Sequence, residues 1–171
     1  MGSPLIVRLL LDAQTEFVKL ADALPDVTSP LPLNEPGWVV AHGAFFHDCW
    51  INGDAQGEPK NEWDSWLVAW ADRQRDSQPE PLETELTEAR AALHRIVPAA
   101  TEFLTGLTEG DLDAVPPYEE GAWPAGTTVG YLVARATAHL FAHASELNVI
   151  ATAAGLPDAG LPGRLAATAG S

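Results

Sequence analysis

Residues 129–150 read VGYLVARATAHLFAHASELNVI, and this stretch decides the fold class. Val129, Leu132, Ala136, His139, His143, Leu147 and Ile150 recur every three or four positions, the period of one helix face. His139 and His143 therefore stand where the neighbouring turns place aliphatic side chains, and both are expected to point into a helical bundle. Histidines at i and i+4 stack about 6 Å apart, so a nitrogen from each can reach one metal ion. Leaving a buried imidazole without a partner costs on the order of 1–3 kcal/mol. A metal ion, a neighbouring side chain or a water molecule would each satisfy the rings, and the spacing alone leaves these open. One reading falls away: the helical zinc-protease motif needs glutamate directly after its first histidine, and this chain has Leu140.

Working outward, the same helical period recurs along the chain. Over residues 5–24 the apolar positions Leu10, Ala13, Phe17, Leu20 and Leu24 form one stripe. A loop with Pro25, Pro30 and Pro32 follows, and Pro36 suits the first turn of a second helix running through Trp38, His42, Phe46 and Cys49 to about Gly53. Residues 53–60 read as a loop. A short helix is then expected, with Asn61 as its cap and Trp63, Trp66 and Trp70 on one inward face. Residues 82–107 repeat Leu86, Ala89, Leu93, Ile96, Ala100, Phe103 and Leu107. A kink is expected there at Pro98, which lacks an amide and frees the carbonyl of His94, itself read as a surface or kink residue. After a turn-rich stretch over 110–126, the last helix is expected over about 127–154, ending before Gly155 and Pro157. Four main helices without a strand pattern predict an all-α four-helix bundle over residues 1–162, with a short extra helix between the second and third. The Ala/Gly-rich residues 163–171 read as a flexible tail.

Composition narrows the function classes. A net charge of −15 repels phosphate backbones and anionic membrane surfaces, so neither nucleic acid nor membrane is an expected partner. No apolar run approaches the roughly 20 residues of a spanning helix, and the first residues lack a basic segment followed by an apolar one; a cytoplasmic location is expected. Cys49 is the single cysteine, which rules out an internal disulfide and a multi-thiolate zinc site. Its surroundings offer no obvious cation other than His47 or a bound metal, so it reads as a small core residue rather than a nucleophile.

A third imidazole is available from the second helix. His42 lies on the stripe Val39, His42, Phe46, Cys49, whereas His47 is five residues on and rotated by about 140°. Burial is expected for His42. His47, beside Asp48, reads as a salt-bridged or solvated surface group.

The runs Trp38-Val39-Val40-Ala41-His42, Phe45-Phe46-His47-Asp48, Asp111-Leu112-Asp113 and His139-Leu140-Phe141-Ala142-His143-Ala144-Ser145-Glu146-Leu147 resemble the DinB/YfiT-like superfamily. The resemblance spans the chain from the first helix to about residue 162. In pattern it is nearest the actinobacterial branch of mycothiol-dependent transferases and the N-terminal domain of maleylpyruvate isomerase. It implies a four-helix bundle in which one histidine of the second helix and a His-x-x-x-His pair of the last bind a divalent ion, commonly zinc or nickel. Here these are His42, His139 and His143. Members often follow the last motif with glycine and then glutamine or glutamate, where this chain has Ser145 and Glu146.

The chemistry implied is transfer of a low-molecular-weight thiol, mycothiol-like, to a small electrophile. Three neutral imidazoles leave an ion with open positions, and such an ion draws the pKa of a bound thiol or water towards neutrality. Trp38, Phe45 and the segment carrying Trp63, Trp66 and Trp70 are the expected walls of a binding pocket. Glu146, one turn past His143, is the candidate for an accessory catalytic role as acceptor for an imidazole N–H, against the alternative of a surface carboxylate. Two other classes fit the same residues: a metal-binding or sensor bundle without activity, and a hydrolase or isomerase working through metal-held hydroxide. A homodimer through exposed bundle faces is also expected from the resemblance.

Overall fold

Helix α1 (Leu5–Ala23) buries Val7, Leu10, Ala13, Phe17 and Leu20, the stripe that its sequence spacing lays along one side. It is part of a computed structural model that describes residues 3–25, 29, 34–60, 63–78, 80–118 and 122–158. Helix α2 (Pro36–His47) runs directly into a π-helical turn (Asp48–Asp54), followed by α3 (Ser65–Ser77), α4 (Leu86–Gly106), a 3-10 turn (Asp111–Asp113) and α5 (Val129–Ala153). No strand occurs among the described residues. Helix α1 packs chiefly on α5 and α2 on α4, and α2–α5 and α1–α4 contacts close the ring of a four-helix bundle, with α3 laid against α2. None of the helices is long and apolar enough to cross a membrane. The 163–171 tail lies outside the described residues.

Small residues let the helices approach. Ala41, Ala44, Ala89, Ala92, Ala100, Ala136 and Ala144 are all buried between larger aliphatics such as Leu93, Leu104, Leu132 and Leu147. Each fully buried Leu contributes roughly 1.5–3 kcal/mol of transfer free energy. Glycine takes this further where α2 begins: a Cβ on Gly37 would lie 1.9 Å from the Thr84 carbonyl oxygen, so α2 meets the segment leading into α4 backbone to backbone.

Polar pins fix the register between helices. Gln14 of α1 accepts from His47 Nε2 at 2.8 Å and donates to Thr101 Oγ1 of α4 at 2.8 Å, and that hydroxyl donates to the Val97 carbonyl. At the end of α1 the Arg90 guanidinium donates to the carbonyls of Ala21 and Leu24, groups that a helix terminus leaves without intrahelical partners. His94 behaves as a surface residue, half-exposed with Nε2 2.9 Å from Asp22 Oδ1.

Several boundaries differ from the sequence expectation. Helix α4 begins at Leu86 rather than Leu82, because Leu82 N–H donates to Gln74 Oε1 and Thr84 Oγ1 accepts from Trp70 Nε1, holding this stretch against α3. It then continues through Pro98 to Gly106. The cap of α3 is Asp64, whose carboxylate accepts from the backbone N–H groups of Trp66 and Leu67; Asn61 lies outside the described residues. Residues 53–54 belong to the π-helical turn and not to the loop.

Candidate metal centre

Helix α5 supplies His139 and His143 from successive turns, and α2, crossing beside it, supplies His42. The three rings converge, and one nitrogen from each lies within 4.8 Å of the others. His42 Nε2 and His139 Nε2 are 3.2 Å apart. Two nitrogens bound at about 2.0–2.1 Å to a tetrahedral ion stand about 3.3 Å apart, so this separation suits adjacent ligands of one ion. Ring contacts are correspondingly close, at 4.5–5.1 Å between the three centroids.

The protonation states suit a cation. Burial draws His42 down to about 4, aided by nearby His143 and opposed by Glu146. His139 falls to about 3, through burial first and then His143, His42 and Arg135. Both rings are therefore neutral at pH 7, with lone pairs available for a metal. His143 Nδ1 lies 3.0 Å from Glu146 Oε2, which leaves its Nε2 to the cluster, and Glu146 Oε1 accepts from Asn34 Nδ2 at 3.1 Å. The hydrogen bond with His143 holds the Glu146 carboxyl below its ordinary range against the opposing effect of burial. A carboxylate on the outer nitrogen of a metal-binding histidine fixes the ring's tautomer and direction.

Aromatic rings frame the cluster. Trp38 stacks on His42 at 4.5 Å and 19°, and its own indole N–H donates to Gln74 Oε1 at 2.6 Å. Phe46 meets both His42 and His139 edge-on, and Trp50 meets His139 at 5.1 Å. Beyond Phe46 and Trp50 opens a cleft of about 650 Å³, lined also by Trp63, Trp123 and Arg135. Of the expected pocket walls, Trp38 covers a face of His42, while Phe45 packs on Phe46, Trp63 and Trp70. Trp66 is half-buried against the core and has no ring contact with the cluster among the described residues. Trp38, Phe45 and Trp66 do not line the cleft. Phe46, Trp50, Trp123 and Arg135 went unrecognised in the sequence. Only Phe46 sat on a periodic stripe, and the cleft is made by residues from the end of α2, from loops and from α5, which no local pattern links.

His47 corrects the sequence reading. It is 1% exposed and not a surface group, and it faces α1. Burial pulls its pKa down to about 4. Because Gln14 Oε1 can only accept, His47 Nε2 carries the proton, and its buried Nδ1 has no hydrogen-bond partner among the described residues. His42, expected to be the more buried, is only half-buried and yet is the one that joins His139 and His143. Cys49 is half-buried, and burial with the carboxylates of Asp54 and Asp48 pushes its thiol up, away from nucleophile chemistry.

No curated protein matches the chain. The sequence profile of the DinB superfamily matches residues 9–147, from the second turn of α1 to Leu147 of α5, and so takes in both helices that carry the histidine cluster, the Asp64-capped α3 and the bundle around them. With that span and an all-helical bundle, the chain belongs to the DinB superfamily.

Proposed function

We propose that the protein is a metal-dependent enzyme that transfers a low-molecular-weight thiol, mycothiol-like in character, to a small electrophile. The observation that carries this reading is the convergence of three half-buried imidazoles, two of them held neutral by burial, at the edge of the core. His42, His139 and His143 would hold the ion; three imidazoles suit zinc, nickel, copper and iron alike, and the family resemblance favours zinc or nickel. When bound, the ion supplies the positive charge that keeps a small thiol deprotonated near neutral pH.

The chain's own groups do the rest. Glu146 and Asn34 fix the direction of His143, and Gln74 fixes Trp38, which in turn seats His42. Phe46 and Trp50 cover His42 and His139 on the cleft side and limit access of water. In the transfer, sulfur forms the new S–C bond, the electrophile's leaving group departs with its electron pair, and the thiol proton passes to solvent. No side chain acting as a dedicated base is needed for this.

The test is conjugation of a small thiol with a chromogenic aryl halide by the zinc- or nickel-loaded protein. A metal-dependent rate above the uncatalysed one, lost in His139→Ala, is expected. A loaded protein that leaves the rate at background would reduce the site to a metal-binding module. Turnover of an ester or amide without any thiol would instead indicate hydrolysis.

A further inference from the structure

Arg135 lies one turn before His139 on α5 and lines the cleft. Its guanidinium carbon sits 4.9 Å from the Trp50 ring and 5.4 Å from the Trp123 ring. These two indoles meet at 70° with centroids 5.9 Å apart, so the guanidinium occupies the angle between them and its remaining side faces the cleft. Trp123 is itself fixed by donating to Asp54 Oδ2 at 2.7 Å. Trp50 touches both the guanidinium and the His139 ring, so a single indole separates this cation from the histidine cluster.

Lys60, the other cation at the cleft, is paired with Asp72 at 3.7 Å. Among the described residues Arg135 is in no ion pair. Its packing against two rings restricts the side chain before any ligand arrives, and a guanidinium so held offers a planar fork of N–H donors matched to a carboxylate.

We infer that Arg135, seated in the Trp50–Trp123 corner, receives an anionic group, a carboxylate in the first instance, of a small ligand whose other end reaches the histidine cluster. The site's substrate is thus an acid rather than a neutral molecule. This rests on the reading that cluster and cleft serve one reaction. Arg135 is a specificity-determining residue here and forms no bond in the chemistry.

The test uses four related probes on zinc-loaded full-length protein: 6-mercaptohexanoate, 6-mercaptohexanamide, and the S-methyl thioether of each, with binding followed by calorimetry and by indole fluorescence. The acid is expected to bind about tenfold more tightly than the amide, the scale of one charge-assisted hydrogen bond. In Arg135→Gln that preference disappears while zinc content, melting temperature and amide affinity stay as in wild type, and Arg135→Lys retains part of it. Equal affinity for acid and amide, no detectable binding of the acid, or a preference that survives Arg135→Gln would overturn the inference. Replacing thiol by thioether reads the metal–thiol proposal separately. If thiol and thioether bind alike while the acid is still preferred through Arg135, the thiol reading fails and the anion site stands.

Discussion

Replacing Glu146 isolates the hydrogen bond that aims His143. Both oxygens of this carboxylate are engaged, Oε2 with His143 Nδ1 at 3.0 Å and Oε1 with Asn34 Nδ2 at 3.1 Å. The His143 and Glu146 side chains are only 14% and 19% exposed, so solvent screens the pair weakly. Hydrogen bonds to charged groups in such settings contribute roughly 1.5–3 kcal/mol. Loss of a carboxylate behind a metal-binding imidazole weakens metal affinity by about 10- to 100-fold, or about 1.4–2.7 kcal/mol. Glu146→Ala should fall near the upper end. Glu146→Gln keeps an acceptor but not the charge, and should fall near the lower. Competition for zinc against a chromophoric chelator at neutral pH gives the dissociation constants, and circular dichroism confirms that the helices are retained. If Glu146→Ala bound zinc within about twofold of wild type, Glu146 would be an ordinary surface carboxylate and its orienting role would be wrong.

Further predictions concern the bundle that carries the site. His47 is held neutral, its pKa drawn from 6.5 to about 4 by burial. A base whose folded pKa lies below its unfolded one leaves stability untouched above about pH 6.5 and removes it as pH falls towards about 4, because the unfolded chain takes the proton first. The full loss is about 3 kcal/mol, and in metal-free protein a His47→Gln variant should lose correspondingly less than wild type in urea unfolding over that window; parallel curves would refute the assignment. Gly37→Ala would drive a methyl group against the Thr84 carbonyl, which as backbone cannot swing aside, and should destabilise by about 3 kcal/mol in thermal or urea unfolding.

How much was legible in the sequence depended on how one-sided each helix is. Helices α1 and α5 each bury one stripe, and their positions follow from spacing alone. Within α5, though, the fully buried residues include Leu140 and Ala144, and His139 and His143 lie at the margin of that stripe, half-buried. The margin is where a ligand site needs them, reachable yet desolvated. Helix α2 is apolar on nearly every side, packed by α4, α5 and α3, so its sequence carries no phase. Counting from Val39 and Phe46 assigned burial to His42 and exposure to His47, whereas Gly43, Ala44 and His47 turned out to be the buried run. His42 is the ring that joins His139 and His143, although it is less buried than that count assigned. Past His47 the π-helical turn departs from 3.6 residues per turn, so no helical count reaches Trp50 or Asp54. The Arg135 corner depends on Trp123, which comes from an aperiodic loop, and loops of this kind carry specificity without a pattern.

In the proposed site His42, His139 and His143 hold one divalent ion together. The most direct test is elemental analysis of protein purified without a metal-affinity tag and then reconstituted with zinc, comparing wild type with His42→Ala, His139→Ala and His47→Ala. About one equivalent is expected in wild type and in the His47 variant, with metal lost in the other two. Reconstituted wild type free of metal, or metal retained without His42 and His139, would contradict it.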